Sequence, residues 1–269
     1  MLLTVDIGNT NVTMGAFSGD ELVASWRTAT DTQRQADEYA LQLQGLLPMK
    51  GISVDAITKA AICSVVPPLT SVFEEVLITL FGVQALVVGT GTKTGVRIRY
   101  DSPRDVGADR VVDAAAAYHL YGAPCIVVDF GTATVFDAIS SDGTYLGGAI
   151  FPGINIAAES LFQHTSQLRR VDLQAPPSAI GKNTVHSIQS GLVLGYAGLV
   201  ESMVARFKQE LDAPDAVVVA TGGLAPLIAG QAPSITMVDE DLTLQGLRLM
   251  HLLNESPAQT MATGGRGDG

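Results

Sequence analysis

The feature that most constrains this chain is a short acidic motif that occurs twice in the sequence. The first copy reads TVDIGNTNVTMGAF over residues 4–17, and the second reads VVDFGTATVFDAI over residues 127–139. Three pairs of residues align at the same separation in sequence: Asp6 with Asp129, Gly8 with Gly131, and Val12 with Val135. In each copy an apolar run, an Asp-x-Gly turn and a second β-rich run follow one another. This order predicts a β-hairpin with a carboxylate at its bend.

The repetition predicts two related halves that face each other across a cleft. Glycine lets the backbone approach a phosphate, and successive N–H groups form a concave anion site. An aspartate beside such a turn can hold a cation. One copy alone is equally typical of an ordinary hairpin turn with a solvated carboxylate. Two copies favour a site for a metal-bound nucleotide.

Length, composition and charge narrow the class of protein. A chain of 269 residues with 47% hydrophobic residues suits two domains. The net charge of −11 predicts that the protein does not bind nucleic acid, because its surface repels phosphate backbones. We find no continuous apolar stretch of about 18 residues and no basic segment before the first apolar run. We therefore expect no membrane contact, no signal peptide and a cytoplasmic protein.

The cysteines and histidines give no pattern of a metal site. Cys63 and Cys125 lie in apolar runs, which predicts buried free thiols. The four histidines are scattered, without the spacing of a histidine-bound metal.

Hydrophobic periodicity predicts that each half opens with three antiparallel strands and continues with alternating helices and strands. Helices are predicted over residues 35–47, 69–82, 104–121, 154–168, 185–211 and 242–254. Asp31 or Thr32 is expected to cap the first of these helices. The predicted domains are residues 1–122 and 123–255, followed by a disordered tail over residues 256–269.

A segment rich in both arginine and aspartate lies between the two acidic turns. It reads YDSPRDVGADR over residues 100–110. Local ion pairs that cap a helix are one interpretation. The other is that arginine holds an anionic substrate beside a carboxylate base, with Gly107 letting the chain pass close to it. A further turn, TGG at residues 221–223, follows a predicted strand and is equally typical of a ligand site and of a structural glycine turn.

Six segments, taken in order, resemble the type III pantothenate kinases of the acetate kinase–sugar kinase–Hsp70–actin superfamily. They are DIGNTNVT (6–13), YDSPRDVGADR (100–110), DFGTATVFD (129–137), GGAIFPG (147–153), GKNT (181–184) and TGG (221–223). The resemblance implies an α/β fold built from two ribonuclease H-like halves, with the nucleotide in the cleft between them. It also implies transfer of the ATP γ-phosphate to the hydroxyl of pantothenate, giving 4'-phosphopantothenate in the first step of coenzyme A biosynthesis.

The resemblance also assigns roles to residues. Asp109 matches the proton acceptor. The ATP contacts match Asp6, Ile7, Gly8, Asn9, Thr10, Asn11, Val12, Thr13 and Thr132. The substrate contacts match Tyr100, Gly107, Ala108, Asp109, Arg110 and Thr184. Asp129 matches the ligand of a monovalent cation, K⁺ or NH₄⁺, and Asp6 is expected to hold Mg²⁺ directly or through water. The family is dimeric, so the resemblance implies a homodimer whose substrate pocket is partly built by the partner subunit.

Three alternatives stay open at this point. Another sugar or acid kinase of the superfamily would share both hairpins, although the GADR sequence argues against it. A regulatory or accessory protein of the same fold would be expected to lose its carboxylates, whereas Asp6, Asp109 and Asp129 are all present. A purely structural α/β protein would leave the repeated acidic turn unexplained.

Overall fold

The computed structural model describes residues 1–255, so the disorder predicted for residues 256–269 lies outside the described residues. Within residues 1–255 the strands are β1 (Leu2–Ile7), β2 (Asn11–Ser18), β3 (Glu21–Ala29), β4 (Lys59–Ser64), β5 (Ala85–Val87), β6 (Arg97–Ile98), β7 (Cys125–Phe130), β8 (Ala133–Ile139), β9 (Thr144–Pro152), β10 (Val217–Thr221) and β11 (Met237–Val238). The α-helices in the same range are α1 (Ala36–Leu46), α2 (Pro67–Phe81), α3 (Ala108–Tyr121), α4 (Ile154–Gln163), α5 (Thr184–Gln189), α6 (Gly195–Glu210), α7 (Ala225–Ala229) and α8 (Leu242–Asn254).

The strand order repeats between the two sheets. The first sheet runs β3-β2-β1-β4-β5, and the second contains β9-β8-β7-β10-β11 with β6 added beside β9. In each sheet the first strand of the half pairs antiparallel with the second strand and parallel with the fourth. Each half therefore begins with the predicted three-stranded antiparallel unit and continues as a mixed sheet with helices.

The two hairpins differ by one residue in their turns. Ile7 pairs with Val12 in the first hairpin, whereas Phe130 pairs with Thr134 in the second. The second turn is thus one residue shorter, and Val12 corresponds to Thr134 rather than to the expected Val135. The two aspartates stay equivalent because this difference arises after the glycine of each turn.

Contacts divide the chain into two compact units that differ from the predicted halves. Among residues 1–255, one unit comprises Met1–Gly95 and residues 244–255, and the other comprises Val96–Thr243. Helix α3 falls in the second unit, where it packs against β7 and β8. Residue 122 therefore lies inside a compact unit, and a boundary between folding domains at that point stays a prediction.

The core of the first unit lies between its sheet and two helices. Alternate residues of β1 (Leu3, Val5 and Ile7) are fully buried in this core. Tyr39 of α1 packs on Phe73 of α2, with ring centroids 4.7 Å apart.

The start of α1 differs from the predicted cap. Gln35 precedes the helix, and its backbone N–H donates to the Glu38 carboxylate at 2.9 Å in a reciprocal capping box. The Asp31 carboxylate instead accepts from the Gln33 backbone N–H at 3.0 Å. The predicted cap at Asp31 or Thr32 was therefore wrong. Gln35 and Glu38, three residues later, form the capping box instead.

Helix α3 begins at Ala108, later than the predicted residue 104. Pro103–Asp105 forms a separate 3-10 turn, and Gly107 is the N-cap of α3. Helix α4 ends at Gln163, before the predicted residue 168, because the backbone leaves helical geometry at His164. Cys63 and Cys125 are buried free thiols, as predicted.

The tract predicted as one helix over residues 185–211 is interrupted by a π-helical turn. Ser190–Leu194 forms this turn between α5 and α6. Among residues 1–255, this tract is the one helix long and apolar enough to cross a membrane, which the search for continuous apolar stretches did not find. Its apolar side belongs to the core of the second unit through Ile188, Leu192, Val193, Ala197 and Val200. Because a core helix passes the same test of length and composition, the tract is weak evidence for a membrane span.

Candidate active site

The first acidic turn has a fixed backbone and exposed polar side chains. Asp6 is the residue before the last of β1 and lies between Thr13 on β2 and Cys63 on β4. The Gly8 N–H donates to the Asn11 carbonyl at 3.0 Å and closes the turn. The side chains of the turn are exposed at Asn9, Thr10 and Asn11. This arrangement offers neutral donors to an anionic ligand.

Two predicted ATP contacts at this turn have no accessible side chain. Ile7 and Val12 are fully buried in the core of the first unit. Only their backbone groups could face a ligand. Gly8 is needed for a tight turn, since a Cβ there would lie 3.1 Å from the Asn11 carbonyl oxygen.

The second acidic turn carries a partly buried carboxylate. Asp129 is near the end of β7, paired with Val135 on β8 and with Thr221 on β10. Burial, followed by the negative charges of Asp109 and Asp137, raises the pKa of Asp129 to about 7. No hydrogen bond from residues 1–255 reaches the Asp129 carboxylate. A carboxylate in this environment favours a positively charged ligand.

Glycines keep space around Asp129. Gly222 has φ of 87°, and a Cβ there would lie 2.6 Å from Asp129 Oδ1 and 2.7 Å from the Phe130 carbonyl oxygen. A Cβ on Gly131 would lie 3.1 Å from Asp129 Oδ2. The TGG turn is therefore part of the surroundings of Asp129.

The residues around Asp129 fit a monovalent cation. They supply the partly buried carboxylate of Asp129 and, on the same side of Gly222, the carbonyl oxygen of Phe130. Hard cations prefer oxygen donors of this kind. Within residues 1–255, no group of three or more His, Cys, Asp or Glu side chains is arranged to hold a metal ion. Protein side chains alone therefore provide no multi-carboxylate site for a divalent metal there.

Asp109 lies in the first turn of α3, where the helix dipole favours a negative charge. The Arg110 backbone N–H donates to Asp109 Oδ1 at 2.8 Å. A Cβ on Gly107 would lie 2.4 Å from the same oxygen, so a larger residue at the N-cap would displace the Asp109 carboxylate. The backbone thus holds a partly exposed carboxylate in one orientation.

Arg110 forms an ion pair with Asp137 on β8. Its Nη2 and Nε atoms lie 2.6 Å and 3.1 Å from Asp137 Oδ1. The Tyr145 hydroxyl on β9 donates to the same oxygen at 2.8 Å. Burial alone lowers the pKa of Arg110, but the hydrogen bond and charge of Asp137 outweigh it and raise the pKa. The guanidinium therefore stays charged. Its partner is Asp137 on β8, which is distant in sequence, rather than an aspartate of the 100–110 segment.

Tyr100 joins this cluster through its ring. The Tyr100 and Tyr145 ring centroids are 6.3 Å apart, and the Arg110 guanidinium lies 5.8 Å from the Tyr145 centroid. Gly147, with φ of 117°, leaves room for Tyr100, since a Cβ there would lie 3.1 Å from the Tyr100 ring. The structure thus brings together Tyr100, Asp109 and Arg110, three of the predicted site residues of the 100–110 segment.

Sequence reasoning gave no role to two members of the cluster, Asp137 and Tyr145. Asp137 closes the quoted segment DFGTATVFD, and its signal is a carboxylate inside the apolar run of β8. A buried carboxylate needs a partner. The sequence pattern did not identify which residue that partner is.

Two other predicted contacts lie elsewhere. Thr184 begins α5 and lines a cavity of about 680 Å³ with Leu161, Leu168 and Lys182. No hydrogen bond or ion pair within residues 1–255 joins Thr184 to Arg110. Thr132 is exposed in the second turn, and its carbonyl accepts from the Gly153 N–H at 3.1 Å.

Comparison with known proteins gives consistent matches. Residues 2–206 match the family model of the type III pantothenate kinases. The chain is 53% identical over 255 residues to the type III pantothenate kinase of Anaeromyxobacter sp. strain Fw109-5, covering 94% of this chain and 100% of that protein. It is 51% identical over 254 residues to the type III pantothenate kinase of Moorella thermoacetica, with coverage of 94% and 100%.

Solved structures share the fold at low sequence identity. A Baf family transcriptional activator from Campylobacter jejuni matches with a TM-score of 0.61 and 19% identity, over 94% of this chain and 98% of that chain. The inorganic polyphosphate/ATP-glucomannokinase of Arthrobacter sp. strain KM matches with a TM-score of 0.50 and 13% identity, over 94% and 99%. These matches and the strand order repeated between the two sheets confirm the predicted α/β fold of two related halves. Because the sequence similarity spans nearly all of this chain and all of both curated relatives, the chain belongs to the type III pantothenate kinase family.

Proposed function

We propose that this protein transfers the γ-phosphoryl group of ATP to the hydroxyl of pantothenate. The product is 4'-phosphopantothenate, and the reaction is the first step of coenzyme A biosynthesis. The observation that carries the proposal is the cluster at the start of α3, where a carboxylate held by the backbone adjoins a charged guanidinium. A regulatory role is not favoured, because the curated relatives are kinases and the carboxylates expected of a kinase are present.

In this proposal Asp109 is the general base. Its carboxylate accepts the proton of the substrate hydroxyl as that oxygen bonds to the γ-phosphorus and the bond to the ADP oxygen breaks. Phosphoryl transfer needs positioning and charge neutralisation more than covalent catalysis. Arg110 and Tyr100 then hold the polar end of pantothenate, while Gly107 and Ala108 let the backbone approach it.

ATP is proposed to bind at the acidic turns. The backbone N–H groups and exposed side chains of residues 8–11 suit phosphate oxygens, and Thr132 is exposed in the second turn. Ile7 and Val12 would contribute backbone groups only. Kinases of this family use a divalent metal with ATP, and we assign Mg²⁺ to Asp6, bound directly or through water.

We assign K⁺ or NH₄⁺ to Asp129. The support is the partly buried carboxylate with its raised pKa and the space that Gly131 and Gly222 leave beside it. A bound monovalent cation would supply positive charge that offsets this carboxylate and the nearby phosphates.

We also propose a cytoplasmic homodimer in which the partner subunit completes the substrate pocket. The support is a set of exposed apolar side chains near the end of β9, on α4 and before α5: Ile150, Ile156, Leu161, Phe162 and Ile180. Exposed apolar side chains of this number are typical of a protein interface. The acidic net charge supports the absence of a nucleic-acid partner, and the core position of the α5–α6 tract supports the absence of membrane contact.

A panel of acceptors tests the proposal. ADP release from MgATP is measured with pantothenate, glucose, N-acetylglucosamine or acetate, each in K⁺ and in Na⁺ buffer. We expect turnover with pantothenate and with none of the other three acceptors, and we expect it only in K⁺ buffer. Turnover with a sugar or acetate but not pantothenate would indicate another kinase of the superfamily. No turnover by folded protein that still binds ATP would support the regulatory alternative.

A further inference from the structure

The buried carboxylate of Asp137 has no role in the proton transfer described above. It is 3% exposed, and its position on β8 pairs with Gly148 on β9. A Cβ at Gly148 would lie 2.8 Å from Asp137 Oδ1. Since a buried ion pair seldom adds to stability over apolar packing, the fold gains little from a charge at this position. The contribution of Asp137 therefore lies in the side chain that it positions.

Asp137 holds Arg110 by one edge of the guanidinium. Nε and Nη2 both bind the carboxylate, while Nη1 makes no hydrogen bond within residues 1–255. The Arg110 side chain is 12% exposed, so part of it remains accessible. An arginine fixed by one edge presents the other as a preorganised donor to a planar anion.

Tyr145 fixes the same pair from a second direction. Its hydroxyl donates to Asp137 Oδ1 at 2.8 Å, and its ring lies beside the guanidinium, 5.8 Å from centroid to Cζ. The carboxylate oxygen and the arginine are thus both restrained by one side chain. Arg110 also provides the backbone donor that orients Asp109. Placement of the guanidinium and placement of the base are therefore set by the same first turn of α3.

We propose that Asp137 and Tyr145 are positioning residues that hold Arg110 so that its free edge binds the carboxylate of pantothenate. This inference rests on the proposed function, since pantothenate is the substrate whose carboxylate is to be bound. Neither residue touches the substrate. Their contribution is to the strength and the charge selectivity of acceptor binding, and the chemical step depends on Asp109.

The test compares an anionic acceptor with a neutral one in Asp137→Asn. KM for pantothenate is measured together with the inhibition constant of pantothenyl alcohol, which lacks the carboxylate. We expect KM for pantothenate to rise roughly 10- to 100-fold, as for loss of a hydrogen bond to a charged group, with little change for the alcohol. KM for ATP should stay close to that of the wild type.

Two further variants complete the test. Tyr145→Phe removes one hydroxyl and should show the same selectivity change to a smaller degree, even if Asp137→Asn fails to fold. Asp142→Asn removes an exposed negative charge from the turn after β8 and should change neither constant.

The outcomes separate this inference from the proposed function. Equal weakening of pantothenate and pantothenyl alcohol, or unchanged pantothenate binding in both the Asp137 and Tyr145 variants, would overturn the positioning role while leaving pantothenate kinase activity in place. Absence of pantothenate turnover in the wild-type protein would overturn the proposed function, and this inference with it.

Discussion

Asp109 and Asp129, both in the second unit, lie in surroundings that suit different functions. Asp109 is partly exposed at a helix N-terminus and receives a hydrogen bond from the backbone N–H of Arg110. Asp129 is partly buried near other carboxylates, and its pKa is raised to about 7. The first environment suits a carboxylate that accepts a proton from substrate. The second suits a carboxylate that is neutralised by a bound cation.

Replacing Asp129 tests the cation assignment. In Asp129→Ala we expect activation by K⁺ to disappear, because the partly buried carboxylate at that position is gone. The measurement is kcat/KM for ATP at increasing KCl, with ionic strength held constant by a salt of a large organic cation. Asp142→Asn is the control for loss of charge. A mutant that responds to K⁺ as the wild type does would show that the cation binds elsewhere.

Individual side chains were predictable from sequence where the motif was local. Asp109 and Arg110 lie in one short segment, and their neighbourhood follows from the turn at the start of α3. The partner of Arg110 did not follow, because Asp137 reaches it through the pairing of β7 with β8 and the packing of α3 on both. Such a contact depends on tertiary structure, for which the local pattern carries no signal.

At the scale of elements, the hairpin of β8 and β9 sets the geometry around Asp137. Gly148 pairs with Asp137, and Gly147 takes a left-handed conformation beside Tyr100. The packing of this hairpin therefore explains why glycine occupies positions 147 and 148, the first two residues of the GGAIFPG segment. They let the two strands and the aromatic side chains approach closely.

Gly148→Ala tests this close approach. The added Cβ would lie 1.7 Å from the Phe136 carbonyl oxygen, so the backbone has to move. We expect a loss of about 1–3 kcal/mol in the free energy of unfolding, the usual cost of overpacking. Urea denaturation measures it.

Gly45→Ala in α1 is the matched control for this substitution. No atom lies within 4 Å of its added Cβ, and alanine should stabilise the helix by about 0.5–1 kcal/mol. Equal stability of Gly148→Ala and the wild type would contradict the tight packing of the hairpin.

Element boundaries were predicted less well than element types. The three opening strands of each half followed from alternation and turn residues. The start of α3 and the end of α4 did not, because a 3-10 turn and a local loss of helical geometry decide them. The π-helical turn between α5 and α6 also left no sign in the apolar spacing.

At the scale of the whole molecule, the repeated strand order explains why one motif occurs twice. Each half uses its first hairpin to present an aspartate near the end of its first strand, β1 or β7. The duplication was evident from sequence because both copies kept the Asp-x-Gly turn. The division of the chain by contacts was not evident, since α3 and residues 244–255 pack in units that their order in sequence does not indicate.

In the proposed reaction, Asp109 accepts the hydroxyl proton of pantothenate during phosphorylation. The most direct test quantifies 4'-phosphopantothenate by mass spectrometry in single-turnover and steady-state reactions of the wild type and Asp109→Asn. We expect the wild type to form this product. We expect the variant to bind ATP normally but to turn over roughly 10²- to 10⁴-fold more slowly, the usual contribution of a general base. Near-wild-type formation of the product by Asp109→Asn would contradict the account.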